Sequence, residues 1–140
     1  MTAHIQFPNV IGEDSKLISD KPEHMGEEIL APATLSHTFI TDKLKKELGF
    51  KGIAVTDALD MNGIALYFQE PTAAKLAIAA GDDMLCQPIT AFNYADYKAH
   101  TEAIIKTISE WVNENDDNAA RLEDAVKNVI RTKIETGVIN

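Results

Sequence analysis

Two carboxylates stand where an apolar segment ends, within GFKGIAVTDALDM at residues 49–61. Asp57 follows the apolar residues Ile53, Ala54 and Val55 after a single threonine, and Asp60 lies a few positions further on. An ionised carboxylate can act as a nucleophile or as a general base. An aspartate at this point either closes the turn after a core strand or presents a reactive carboxylate at the rim of a sheet. Both interpretations stay open from these residues alone.

Polar residues follow three predicted strands of the chain. In α/β folds the reactive groups gather at the C-terminal ends of the strands, because the loops there converge on one face. His4, Asp57 and Gln87 satisfy this rule, and Asp57 satisfies it best by position. His4 is either a ligand-contacting imidazole or a packed, hydrogen-bonded one. Asp60 is expected to cap a helix that begins near Met61, with a carboxylate supporting Asp57 as the alternative.

The sequence contains no motif of a metal or phosphate site. It has no HExxH, no paired cysteines and no clustered histidines, so a metal site is unsupported and none is predicted. KELGFKG has the wrong spacing for a phosphate-binding loop, and the GxSxG motif of a serine nucleophile is also absent. The single cysteine, Cys86, cannot form an internal disulfide. Its apolar setting, DMLCQP, predicts a buried small residue rather than a reactive thiol.

Short apolar segments alternate with helical patterns along the chain. The predicted strands are TAHI at residues 2–5, Gly52–Thr56 and Asp83–Gln87. Helices are predicted from Ser36 to Leu48, from Met61 to Phe68, from Pro71 to Ala80, and in two long amphipathic segments that follow. This order predicts an α/β fold with right-handed βαβ units and parallel strands flanked by helices. Residues 6–31 have no sustained period and are expected to form a loop.

Length, composition and charge make some classes of protein, such as nucleic-acid-binding and membrane proteins, less consistent with this sequence. A chain of 140 residues with 45% hydrophobic and 25% charged residues fits one globular domain. Its net charge of -9 disfavours nucleic-acid binding, because an acidic chain repels phosphate backbones. No apolar run approaches the roughly 20 residues that cross a bilayer, and no signal peptide is present, so no membrane partner is expected. The compartment stays open.

A parallel sheet of three strands would leave both of its edges open. Open edges invite pairing with another chain, so self-association through them is a possible partner interaction. Because TAHI, at the start of the sequence, resembles the end of a strand whose beginning is missing, we expect the chain to be the back part of a larger unit.

Four segments together resemble a known enzyme family. In chain order they are MTAHIQFP, PATLSHTFITDKLKKELGFKGIAVTDALDM, AAKLAIAAGDDMLCQP and LEDAVKNVIRTKIETGV. They are similar to the C-terminal part of the catalytic domain of glycoside hydrolase family 3, which contains β-glucosidases and β-N-acetylhexosaminidases. The resemblance covers most of the chain apart from roughly residues 9–30 and 90–115.

This resemblance implies a fold and a set of site residues. Residues 1–140 would form one partial catalytic domain, supplying about three βα units at the C-terminal end of a (β/α)8 barrel. The position of Asp57 is that of the catalytic nucleophile, which forms a glycosyl-enzyme intermediate in a retaining mechanism. The positions of Met1 and His4 lie near the sugar-binding pocket. The implied partner is a β-linked glycoside, and the chemistry needs no cofactor.

The same comparison shows what this chain lacks. The family's acid/base and its other sugar-binding residues cannot be mapped onto any residue here. We therefore expect a fragment of a hydrolase of β-glucosides or β-N-acetylhexosaminides that is inactive in isolation, since losing a catalytic partner costs several powers of ten in rate. The alternative is a non-catalytic α/β binding or assembly module on the same scaffold.

Overall fold

The computed structural model describes residues 1–11 and 15–139. Its strands are β1 Lys16–Ile18, β2 Glu28–Leu30, β3 Val55–Ala58 and β4 Met84–Cys86. Its α-helices are α1 Pro8–Ile11, α2 Asn62–Ala65, α3 Glu70–Ala80, α4 Tyr94–Val112 and α5 Asp116–Glu135. Short 3₁₀ turns cover Pro22–His24 and Ala33–Leu35, and Thr38–Glu47 forms a π-helix.

The predicted parallel strands are present at the centre of the molecule. β3 pairs in parallel with β4, and an isolated parallel bridge joins Thr2 to Thr56 on the other side of β3. The Thr2 N–H donates to the Val55 carbonyl at 2.8 Å, and the Asp57 N–H donates back to the Thr2 carbonyl at 2.9 Å. The prediction of an α/β fold with parallel strands and flanking helices is confirmed, although the first strand is reduced to one bridge.

The loop predicted for residues 6–31 is wrong, because this segment contains an antiparallel hairpin. β1 pairs with β2 so that Leu17 faces Ile29 across the two strands. Both side chains pack against the main core, while Lys16 and Glu28 form an ion pair outside it. Strands of three residues are too short to show a readable alternation of apolar and polar residues, so no strand was predicted here.

The main core lies between the hairpin, α2 and α3. Small side chains let α3 approach closely: Ala73 and Ala77 are buried against Phe68 and Ile64. The buried members of this cluster are Leu35, Leu59, Ile64, Phe68, Ala73 and Ala77. A second, smaller cluster joins Ile40 of the π-helix to Ala54 and Ala80. Helices therefore pack against the parallel strands at Leu85 and at Ala54, the residue before β3.

One buried carboxylate ties four elements together. Asp83 Oδ1 accepts from Lys45 Nζ at 2.7 Å and from Arg121 at 3.0 Å, and its Oδ2 accepts from the Ala54 N–H at 2.9 Å. Asn128 adds a fourth donor. Burial disfavours the charged form, but the hydrogen bonds from Lys45, the Ala54 N–H and Asn128 outweigh it, so the pKa of Asp83 lies below its ordinary value.

Candidate active site at the end of the parallel strands

Asp57 lies at an irregularity in the central strand pair. Val55 pairs with Met84 and Ala58 with Cys86, so β3 carries one residue more than β4 over this interval. The side chain of the fully buried Thr56 replaces a backbone acceptor at this point, because its Oγ1 accepts the Cys86 N–H at 2.8 Å. Bulges of this kind re-aim a side chain and occur frequently beside active sites. The half-buried Asp57 lies within this irregular interval, between Val55 and Ala58.

The two carboxylate oxygens of Asp57 have different surroundings. Oδ1 accepts the Ala58 N–H at 2.9 Å, which orients the carboxylate. Within residues 1–11 and 15–139, Oδ2 accepts no hydrogen bond. A carboxylate with one oxygen held and the other free is suited to nucleophilic attack, because the free oxygen keeps its lone pairs available.

His4 lies beside the end of β3 with both ring nitrogens engaged by the protein. Nδ1 is 2.9 Å from Thr34 Oγ1, and Nε2 is 2.8 Å from the Ala58 carbonyl oxygen. The structure therefore brings His4 to the residue next to Asp57, as expected for neighbouring strand ends. The role of His4 near the sugar-binding pocket, which the family resemblance implies, stays a prediction.

Met1, the other predicted sugar contact, is 82% exposed. It lines an apolar groove with Phe7, Phe39 and Leu48. Its neighbour Thr2 accepts the Asp57 N–H through its carbonyl, so the backbone of this segment reaches the site. A role for the Met1 side chain itself stays a prediction.

Asp60 does not cap the helix that follows it. Its Oδ2 accepts from Gln87 Nε2 at 3.1 Å, and Met61 takes the N-cap position of α2 without a side-chain hydrogen bond. Gln87 has a φ of +45°, a left-handed conformation that is uncommon outside glycine. This contact draws the loop after β4 over the loop after β3. The sequence placed Gln87 at a strand end but carried no signal for its partner.

The prediction that Cys86 is buried is wrong, since its side chain is exposed. Along β4, Leu85 packs against the core while Met84 and Cys86 are exposed on the other face. Apolar neighbours in sequence suggested burial, but side chains alternate between the two faces of a strand. Cys86 therefore contributes its backbone N–H to the bulge and not its thiol to the core.

A second buried carboxylate anchors the first strand. Asp82 is fully buried, and its Oδ1 accepts from Thr2 Oγ1 at 3.2 Å. Burial raises the pKa of Asp82 to about 7, against the lowering effects of the Thr2 hydroxyl and of Lys45 and Arg121. Asp83 adds a further, smaller raising effect. Thr2, and with it the N-terminal segment that carries His4, is thus held by a carboxyl group that is neutral below this pH.

We expect the stability of the protein to depend on pH through Asp82. Between the ordinary pKa of 3.8 and about 7, the folded state keeps a proton that the unfolded chain releases. The free energy of unfolding therefore falls as pH rises, by up to about 1.4 kcal/mol per pH unit for this proton. In Asp82→Asn, whose amide can donate to Thr2, this component disappears. Urea unfolding of both proteins from pH 4.5 to 6.5 measures how the free energy of unfolding depends on pH. The same pH dependence in the wild type and in Asp82→Asn would contradict the assignment.

The described part of the chain offers no metal centre and no membrane span. No group of three or more His, Cys, Asp or Glu side chains is arranged to hold a metal ion within residues 1–11 and 15–139. In the same residues, no helix combines the length and hydropathy needed to cross a bilayer.

Comparison of the sequence with known proteins identifies relatives of this chain. The family model described as Glycosyl hydrolase family 3 N terminal domain matches residues 1–132. Beta-hexosaminidase A of Pseudoalteromonas piscicida is 35% identical over 133 residues, which cover 95% of this chain and 21% of the relative.

Two solved structures have a similar fold. CbsA from Thermotoga neapolitana has a TM-score of 0.63 at 28% identity, over 94% of this chain and 24% of that one. The Beta-glucoside phosphorylase BglX has a TM-score of 0.69 at 25% identity, over 99% of this chain and 22% of that one. The chain therefore spans less than a quarter of the length of each relative described here.

Proposed function

The chain belongs to glycoside hydrolase family 3, and we propose that Asp57 is its catalytic nucleophile in the retaining cleavage of a β-linked glycoside. The observation that carries the proposal is the setting of the Asp57 carboxylate. The residue lies near the end of β3, which is parallel to both of its neighbours, within a bulge, and its Oδ1 is held by the Ala58 N–H while Oδ2 is free.

The chemistry follows from that arrangement. Asp57 Oδ2 attacks the anomeric carbon, the bond to the leaving-group oxygen breaks, and a glycosyl ester forms on the aspartate. The departing oxygen takes a proton from a separate acid group. That group then deprotonates the water that attacks the anomeric carbon and frees Asp57. We assign the acid/base role to no residue of this chain.

Of the two substrate classes, we favour β-N-acetylhexosaminides over β-glucosides. The relative that matches 95% of this chain at 35% identity is named a beta-hexosaminidase. BglX, named for β-glucosides, is 25% identical. No metal or organic cofactor is required for this mechanism.

We expect the 140-residue chain alone to have no measurable turnover. A nucleophile without its acid/base and sugar-binding partners loses several powers of ten in rate. The test compares the chain with a hybrid enzyme, in which residues 1–132 replace the matching segment of Beta-hexosaminidase A. Release of nitrophenol from an aryl N-acetyl-β-glucosaminide should occur with the hybrid only. Turnover by the chain alone, abolished in Asp57→Asn, would overturn the inactivity, and a folded but inactive hybrid would overturn the function.

The alternative of an assembly module finds support at the sheet edge. β4 pairs with β3 along one edge, and Met84 and Cys86 are exposed on one of its faces. We propose that two copies of the chain associate through the other edge of β4, because an edge strand presents backbone donors and acceptors to another chain. Its molar mass in solution should rise with concentration. Met84→Lys should keep the protein monomeric, whereas Tyr97→Lys on the exposed face of α4 should not. A chain that is monomeric throughout would contradict this proposal.

A further inference from the structure

The hydrogen bonds of His4 define the state of its ring. The Ala58 carbonyl can only accept, so Nε2, at 2.8 Å from it, carries a proton. In the neutral ring Nδ1 is then the acceptor, and the Thr34 hydroxyl donates to it over 2.9 Å. Thr34 is fully buried, so this donor is shielded from competing water. The His4 ring is therefore held by the Thr34 hydroxyl at Nδ1 and by the Ala58 carbonyl at Nε2.

The carbonyl that His4 holds belongs to the residue that orients the nucleophile. Ala58 donates its N–H to Asp57 Oδ1 at 2.9 Å and accepts from His4 through its carbonyl. Both polar backbone groups of Ala58 are thus restrained, the N–H by the Asp57 carboxylate and the carbonyl by His4, with a longer bond from the Met61 N–H at 3.2 Å. These groups belong to the two peptide planes that flank the Ala58 Cα, so holding both planes restrains the backbone torsions that aim the N–H at Asp57.

The other side of His4 is closed by the start of α2. A Cβ placed on Gly63 would lie 3.0 Å from the His4 Cβ, which is tighter than ordinary contact. Glycine at this position lets α2 approach the His4 side chain at its Cβ. Thr34, Ala58 and Gly63, which come from three separate segments, thus contact His4.

We propose that His4 is a positioning residue for Asp57. Its Nε2–H holds the Ala58 carbonyl, so that the Ala58 N–H keeps Oδ1 in place and leaves Oδ2 directed outward. This role differs from the sugar contact that the family resemblance implies, because a sugar hydroxyl would have to displace a protein partner from the ring. The inference rests on the proposed role of Asp57 as nucleophile, and it deepens that role.

The test uses two variants of the 140-residue chain that differ only in a donor. His4→Gln supplies a side-chain N–H that can reach the Ala58 carbonyl, and His4→Met has a similar length without a donor. Hydrogen exchange of the Ala58 amide, followed by NMR, reports its bond to Asp57. The Asp57 carboxyl carbon signal reports the orientation of the side chain. The Ala73 amide, bonded to the Gln69 carbonyl in the core, reports whether the fold is intact.

We expect Ala58 exchange to rise about tenfold in His4→Met, which corresponds to losing one ordinary hydrogen bond. The Asp57 carboxyl signal should shift with it, and His4→Gln should restore both signals while Ala73 protection stays at the wild-type level. Equal Ala58 protection in all three proteins, or equal loss in both variants, would overturn the inference. These readouts do not depend on turnover, so failure of the proposed function would show separately as an inactive hybrid enzyme.

Discussion

Asp83→Ala should destabilise the protein by about 3–5 kcal/mol, the largest stability loss that we expect from one substitution. The substitution leaves Lys45 and Arg121, whose side chains are only 18% and 17% exposed, without their shared carboxylate. It also leaves the Ala54 N–H at the start of the central strand without its acceptor. Urea unfolding at neutral pH measures the difference in free energy.

The matched control for this prediction is Asp42→Ala. Asp42 also pairs with a lysine, Lys46, and with His37, but its side chain is 43% exposed. Exposed ion pairs contribute about 0–1 kcal/mol, so this variant should stay close to wild type. Similar losses in the two variants would show that burial of the Asp83 network does not decide its strength.

Asp57→Asn should reduce turnover of the hybrid enzyme by about 10⁴-fold or more. The amide oxygen of asparagine can still accept the Ala58 N–H, so the fold and the side-chain position should be retained. What disappears is the charged oxygen that attacks the anomeric carbon. Initial rates with an aryl N-acetyl-β-glucosaminide measure the loss, and unfolding curves of the two proteins should coincide.

Asp60→Asn is the control that distinguishes the carboxylate in β3 from the one that follows this strand. Asp60 accepts from Gln87 at 3.1 Å, which is a structural contact between the loops after β3 and β4. We expect less than about a tenfold change in rate, since no covalent step involves this group. A loss for Asp60→Asn equal to that of Asp57→Asn would leave the nucleophile unassigned between them.

The arrangement of the elements was predictable because their order along the chain is informative. Strands alternating with helices specify parallel pairing, and β3, β4 and the Thr2 bridge follow it. The likeness to family 3 structures confirms that the fold is part of the barrel domain. The position of the helix predicted from Ser36 to Leu48 was also predictable, although Thr38–Glu47 of this segment is a π-helix. Ser36 Oγ accepts the Phe39 N–H at 3.3 Å before this helix.

Two features were missed because their signals lie outside local sequence. β1 and β2 are too short for a period, and their pairing becomes visible only when Leu17 and Ile29 meet the core. Burial of Cys86 was predicted because its neighbours in the sequence are apolar. Strand register, however, decides which face of the sheet a side chain occupies, and Cys86 is exposed. Both errors concern segments of three residues, where periodicity carries the least information.

The position of Asp57 was predictable, but the partners that organise it were not. A carboxylate after a buried strand can be read from the order of residues 53–57. The bond from His4 to Ala58 joins residues 54 positions apart, and no local pattern encodes it. The bulge that contains Asp57 also depends on the neighbouring strand and on the Thr56 hydroxyl.

The most direct test of Asp57 as nucleophile is covalent trapping followed by peptide mass analysis of the hybrid enzyme. A glycosyl fluoride with a second fluorine at C5 suits a 2-acetamido sugar, because fluorine destabilises the oxocarbenium-like transition states while fluoride leaves without protonation. We predict one glycosyl adduct per molecule, on the peptide that contains Asp57, and none in Asp57→Ala. An adduct on another carboxylate, or one that persists in folded Asp57→Ala, would contradict the assignment.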